Sequence, residues 1–459
     1  MQGIRAALLE AQQAAAGLVQ NIATLGEQQG QQPEESGALS APGARLNAGF
    51  LFDDSPALAE DRVTAFQQTI SAQVVDMRRL RALAFNGVPE VSGNRLRCTT
   101  WKLLLGYLPP ETADWTTTES RQRALYHEWK DELIVDPSAR VRGGSCAATA
   151  DSAAATRASA EPPVGGPVQP LGVLEKHAED VAIADHPLTS APESEWHTFF
   201  ENEELFGEIQ KDVSRTLPDY GFYSSEHERG RAHRRAILHV LFVYAKLNPG
   251  IKYVQGMNEL LAPIFYLLLQ DQEARAAGHQ QVGLSLSDET ELAGAEADAF
   301  FCFTNLMAET RDAFCQSLDH SDVGVTARIS ALSALLQRVD PALHTHLARQ
   351  RVSPQFYSFR WLTLLCTQEF DLPDVLRIWD SFLADDRRFD FVLFWCAGML
   401  EHARVRLLQG EFADCVKLLQ RYPEPDIDAI HRIARGLYER ERAGVSIQRP
   451  NAAAEVAEE

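Results

Sequence analysis

Two short stretches carry the side chains with the most chemistry to offer. In Ile209 to Asp219, IQKDVSRTLPD, Asp212 and Arg215 stand three apart. That spacing puts them together on the exposed face of a helical turn whose apolar residues, Phe206, Ile209 and Val213, point the other way. Thr216 and Pro218 then end the helix, because the residue before a proline is pushed out of the α region. Arg215 is therefore expected at a helix end, where a long side chain extends outward. In Asn248 to Leu261, NPGIKYVQGMNELL, the Asn-Pro-Gly run stops one helix and another restarts near Asn258. The loop between them presents Gln255, with Tyr253 before it and Gly256 after it, and a glycine there lets another backbone come close. A guanidinium is a planar, permanently charged fork that suits phosphate oxygens better than a lysine does. A glutamine amide holds a donor and an acceptor at once, so it can fix a water molecule. Each stretch alone also has a plain structural reading. Asp212 and Arg215 make an i,i+3 ion pair worth about 0.2–0.5 kcal/mol, and Y-x-Q-G fits an ordinary helix–helix turn.

The elements that must position these residues are helical throughout. Apolar residues at Val63, Phe66, Ile70, Val74, Met77 and Leu80 have the spacing of an amphipathic helix over Asp61 to Ala84. Gly87, Pro89 and Gly93 interrupt, and Leu96, Trp101, Leu104 and Leu105 start the next helix, with Arg97 one turn before Trp101. Further helices are predicted at Ala232–Leu247, Glu259–Leu269, Ala297–Leu318, Thr326–Leu347, Pro354–Glu369, Pro373–Leu383, Phe389–Leu408, Phe412–Leu419 and Asp426–Arg440. No stretch alternates like a half-buried strand. The aromatics at helical spacing, Phe356, Phe359, Trp361, Trp379, Phe382, Phe391 and Trp395, are assigned to core packing.

The fold class is all-α, with one helical domain over residues 61–445. Residues 1–60 form an arm rich in Gln, Ala and Gly, and 446–459 an acidic tail, both expected to be disordered. Ala, Gly, Ser, Pro and charge dominate 137–180, and a shorter segment of this kind lies near 270–295. Such segments bury too little to offset their ordering entropy, so both are expected to be disordered insertions, tolerated because each doubling of a loop costs only about 0.6 kcal/mol.

Composition narrows the function. With 459 residues, 45% of them hydrophobic, the chain can bury a large core. Its net charge of −21 argues against nucleic acid or an anionic membrane surface as the main partner. Seven cysteines, an odd number without a C-x-x-C pair, fit reduced residues in a cytosolic protein. The longest apolar stretch, Leu260 to Leu269, is half of the ~20 residues a membrane span needs, and neither a signal peptide nor a lipidation motif is expected. No G-x-x-x-x-G-K-[ST] is present, so the chain is not expected to bind GTP itself. His227-Glu228 opens like H-E-x-x-H, but the next histidine is His233. Six residues turn a helix by roughly 600°, about 120° short of two full turns, which leaves the two imidazoles on different faces and predicts no metal site.

Together, I-x-x-D-x-x-R-T-x-P and Y-x-Q-G-M-N resemble the two signature motifs of TBC-domain proteins, the GTPase-activating proteins of Rab-type small GTPases. Other matches follow in that family's order: GVPEVSGNRLRCTTWKLLLGYLP from Gly87 to Pro109, DHPL at Asp185, RWL at Arg360 and IWDSF at Ile378. The resemblance spans about residues 75–423. It implies a multi-helix TBC fold, a Rab-type partner and a role in vesicle trafficking on the cytoplasmic side. It also implies that Arg215 and Gln255 are inserted into the partner's nucleotide site as catalytic groups, with Asp212, Tyr253 and Gly256 as supports. Arg97, Trp101 and Arg360 are carried over as supporting or partner-binding positions. No cofactor of its own is implied, since GTP and magnesium belong to the partner. The rival reading is a helical scaffold that binds a Rab or another partner without catalysis.

Overall fold

The computed structural model describes residues 56–90, 95–134, 195–280, 288–310, 324–387, 389–423 and 426–448. Two compact units can be distinguished, one made of Met1–Lys130 with Ile209–Glu459 and the other of Asp131–Glu208. All the residues singled out as candidates for function belong to the first. The expected arm over 1–60 lies outside the described residues except where a helix begins at Pro56; the insertion over 137–180 and most of the tail over 446–459 also lie outside them.

Every regular element among the described residues is a helix. In chain order they are α1 (Pro56–Ile70), α2 (Met77–Phe85), α3 (Arg95–Leu104), α4 (Trp115–Leu133), α5 (Glu195–Ser214), α6 (Glu228–Leu247), α7 (Met257–Gln280) and α8 (Asp288–Thr310). There follow α9 (Val325–Val339), α10 (Pro341–Arg349), α11 (Gln355–Thr363), α12 (Leu372–Ala384), α13 (Phe391–His402), α14 (Arg404–Gln409), α15 (Phe412–Gln420) and α16 (Ile427–Arg442). The all-α class expected from the periodicity is what is found.

Polar caps decide several boundaries that apolar periodicity misses. The amphipathic run over Asp61–Ala84 is two helices. Val75 N–H donates to Pro110 O at 2.8 Å and Thr112 N–H to Gln73 O at 3.0 Å, which pulls the chain out of helix. Asp76 then caps α2 by accepting from Arg78 and Arg79 N–H, both at 3.0 Å. Thr326–Leu347 also splits in two. Pro341 occupies the first turn of α10, where its missing N–H is harmless, and Asp340 accepts from Leu343 N–H at 2.9 Å. Phe389–Leu408 divides at Ala403 into α13 and α14.

The segment Gln270–Ala295 differs from expectation in the opposite sense. α7 runs on to Gln280 and α8 starts at Asp288, so only 281–287 falls outside the described residues. Alanine has the best helix propensity, and Arg275 forms an i,i+4 pair with the buried Asp271 at 2.7 Å. Composition alone cannot separate a solvated linker from an alanine-rich helix end.

The core that supports the candidate site is built from α6, α7 and α8, with α3 packed on α7. Leu260, Leu261, Ile264, Phe265, Leu267 and Leu268 of α7 are buried, as are Val240, Leu241 and Phe242 of α6. The apolar run Leu260–Leu269 is therefore core, and no helix among the described residues is long and apolar enough to cross a membrane.

Candidate functional site

Residues 209–219 and 248–261 meet through one carboxylate. α5 ends at Ser214 and closes tightly, with Arg215 N–H on Asp212 O at 3.1 Å and Thr216 N–H on Val213 O at 3.3 Å. Arg215 stands on this turn with its side chain 59% exposed. Its Nη2 donates to Asp212 Oδ1 at 2.5 Å. The second carboxylate oxygen, Oδ2, accepts from the Tyr253 hydroxyl at 2.7 Å, and Tyr253 is buried. Asp212 was expected on the exposed face beside Arg215. It is only 7% exposed, because the carboxylate bridges inward to the second loop. A surface i,i+3 pair thus becomes the joint between two loops.

The second loop is shaped by its backbone. α6 stops at Leu247, where Asn248 caps the helix by donating from both N–H and Nδ2 to Tyr244 O. Lys252 lies at φ 61° and Gly256 at φ 104°. The latter conformation suits glycine, which meets no Cβ clash there. Gln255 sits just before this turn and is exposed, and among the described residues its amide has no hydrogen-bond partner.

Asn258, at the start of α7, locks the two loops together. Its Oδ1 accepts from Gly256 N–H at 3.2 Å, and its Nδ2 donates to Thr216 Oγ1 at 2.8 Å and to Glu259 Oε1 at 3.1 Å. Thr216 Oγ1 donates in turn to Asp212 O at 3.1 Å. Arg234 of α6 donates from Nη1 to Val213 O and from Nε to Tyr223 O at 2.6 Å, satisfying a carbonyl at the end of α5. A buried amide, a buried carboxylate and a capping arginine therefore fix the bases of Arg215 and Gln255 while both side chains stay in solvent. From the sequence, Thr216 and Asn258 were expected only as helix boundaries, and Arg234 was not singled out. Asn258 had a signal, a polar residue opening an otherwise apolar helix.

Residues 188–408 match the Rab-GTPase-TBC domain. The chain is 36% identical over 440 aligned residues to "TBC1 domain family member 13" of Homo sapiens, covering 83% of this chain and 98% of that protein. The chain belongs to the Rab-GAP TBC family. "GTPase-activating protein gyp1" of Schizosaccharomyces pombe is 27% identical over 367 residues, covering 80% of this chain and 57% of that one. The crystal structure titled "Ypt/Rab-GAP domain of Gyp1p" shares the fold, with a TM-score of 0.60 at 21% identity over 83% of this chain and 99% of that one.

Three further candidates of the TBC domain lie outside the Asp212–Tyr253–Asn258 network. Arg97 and Trp101 are each 2% exposed, so they are internal braces and not part of the exposed face. Arg97 Nε donates to both oxygens of Asp380 at 3.2 Å and its Nη2 to Val88 O at 3.0 Å. Trp101 Nε1 donates to Asp380 Oδ1 at 2.8 Å, and the indole stacks on Trp379 at 5.8 Å. These contacts join α3, which packs on α7, to α12. Trp101→Ala removes a buried indole and one of the two hydrogen bonds to Asp380 Oδ1, so the folded state is expected to lose about 3–5 kcal/mol. Denaturant unfolding checks this, and a variant as stable as wild type would show that the indole is not part of the core. Arg360 is held by Glu369 at 2.5 Å and Gln420 O at 2.8 Å, which fixes the turn after α11.

Proposed function

We propose that this protein accelerates GTP hydrolysis by a Rab-type GTPase, inserting Arg215 and Gln255 into the partner's nucleotide site. The observation that carries the reading is the shared anchor: one carboxylate, Asp212, binds Arg215 and Tyr253, so both fingers leave one rigid base as exposed side chains. Phosphoryl transfer needs charge neutralised on the transferring and leaving oxygens and a water held in line. Arg215 meets the first need with a planar fork, and Gln255 meets the second with an amide that accepts from the water and donates to a phosphate oxygen.

Arg215 must leave Asp212 to reach the phosphates. A charged hydrogen bond of this kind, with Arg215 exposed and Asp212 buried, is worth about 1.5–3 kcal/mol, whereas an arginine finger lowers the barrier by about 4–7 kcal/mol, so release costs less than insertion gains. Asp212 is not stranded by the departure, because the Tyr253 hydroxyl still donates to it. GTP and magnesium enter as the partner's substrate and cofactor, and the chain alone turns nothing over.

The test is phosphate release from a panel of GTP-loaded Rab-type GTPases with and without this protein. At least one is expected to be accelerated. Binding without acceleration on every member would leave the scaffold reading in its place.

A further inference from the structure

Two lysines that the mechanism above leaves unused stand at the same joint as the fingers. Asp212 and Tyr253 are the buried pair that ties the two loops together, and each is preceded in the chain by an exposed lysine, Lys211 and Lys252. Neither ammonium has a hydrogen bond or ion pair among the described residues. The carboxylate between them is already taken, by Arg215 on one oxygen and Tyr253 on the other. Lys211 lies in the last turn of α5, four residues and so ~6 Å of helical rise before Arg215. Lys252 lies three residues before Gln255, which keeps their Cα atoms within ~11 Å of one another. Its backbone is pinned, since Ile251 and Lys252 N–H both donate to Asn248 O, at 3.0 and 2.8 Å. Its φ of 61° lies in the left-handed region, where any side chain is a cost that glycine would avoid.

A stably docked partner covers about 800 Å² on each side, a patch roughly 16 Å in radius. One centred on the two fingers covers both lysines. An ammonium covered without an anion loses its water and gains nothing in return. We propose that Lys211 and Lys252 are docking contacts for the GTPase, each meeting a carboxylate on the rim of its nucleotide pocket. The inference rests on Arg215 and Gln255 being the fingers. Rim carboxylates fit better than the GTP phosphates, because the phosphates must lie at the finger tips and both lysines are set back from them, one along α5 and one along the loop. With a net charge of −21 the chain as a whole repels an acidic surface. Two free cations beside the fingers make the attraction local, so they orient the encounter and select partners whose acidic groups lie at matching places. Such contacts act on binding and leave the chemical step to the fingers.

The experiment measures kcat and KM of the full chain for a responsive GTP-loaded Rab-type GTPase at increasing salt. Lys211→Ala and Lys252→Gly are each expected to raise KM by about two- to fivefold with kcat held. The double reversal Lys211→Glu with Lys252→Glu should raise it by about tenfold or more, because like charges then meet. Wild-type KM should climb with salt, and less steeply in each single variant. Lys252→Gly relieves the left-handed backbone and should melt no lower than wild type, so a lost turn cannot account for its KM. Lys252→Arg keeps the charge and should keep the wild-type KM. An unchanged KM in both single variants overturns the proposal. A loss confined to kcat does so too, since it would put the ammonium on the phosphates. Arg215→Ala separates the two readings: if it still accelerates hydrolysis, the finger assignment fails and the lysine contacts fall with it. With Arg215→Ala silent and wild type active, an unmoved KM removes the lysine contacts alone.

Discussion

Replacing Arg215 by alanine is expected to cut the stimulated rate by about 10³- to 10⁵-fold, which corresponds to about 4–7 kcal/mol of barrier. Thermal unfolding should hardly change. The side chain is 59% exposed and holds Asp212 through one half-buried pair, so removal deletes a partly screened contact and no core packing. Asp212 keeps the Tyr253 hydroxyl, and the turn keeps the Thr216 and Asn258 hydrogen bonds, so the base of the loop persists without the finger. Arg215→Lys should recover little, because an ammonium restores charge without a fork that can meet two oxygens. Single-turnover phosphate release with a responsive Rab, beside a melting curve, checks both halves. A variant that melts like wild type and still accelerates hydrolysis would remove Arg215 from the mechanism. One that unfolds early would show that the turn depends on the pair.

What was legible in the sequence follows from which forces act locally. Helix periodicity located most elements, though not α4 (Trp115–Leu133) or the start of α5, because each helix buries one stripe of apolar residues whatever its neighbours are. The boundaries were missed where a side chain from the same short segment took over the backbone, as Asp76 and Asp340 do, or where two distant segments paired, as 73–75 and 110–112 do. At the site, Arg215 and Gln255 were legible because a breaker stands beside each one. Asp212 was legible in identity and not in placement. Spacing puts it on the same helix face as Arg215, and only the arrival of Tyr253 from forty-one residues away turns it inward. Trp101 was legible as one of the large apolar residues of the helix that follows Gly93. Its partner Asp380, 279 residues later, was not, since no local pattern announces a buried carboxylate that satisfies an indole, a guanidinium and the Val88 N–H together.

Gln255 carries the second large expectation, and the partner makes it sharper. Its side chain is exposed, it makes no hydrogen bond among the described residues, and its backbone is set by Gly256 at φ 104° and by Asn258. Gln255→Ala should therefore leave the fold and the Tyr253–Asp212 contact intact while lowering the stimulated rate by at least about a hundredfold, the usual cost of removing one positioned polar group at a reacting centre. A small GTPase whose own water-positioning glutamine is replaced distinguishes two ways of working. An activator that supplies only an arginine depends on the partner's glutamine and should fail on this form. A chain that brings its own amide should still accelerate it measurably. Wild type and Gln255→Ala are to be compared by single-turnover phosphate release on both forms of the partner. Wild type is expected to act on both and Gln255→Ala on neither to a comparable degree. If Gln255→Ala matches wild type on either form, the water is held by another group, and Gln255 is a turn residue whose exposure reflects the geometry of the loop and nothing more.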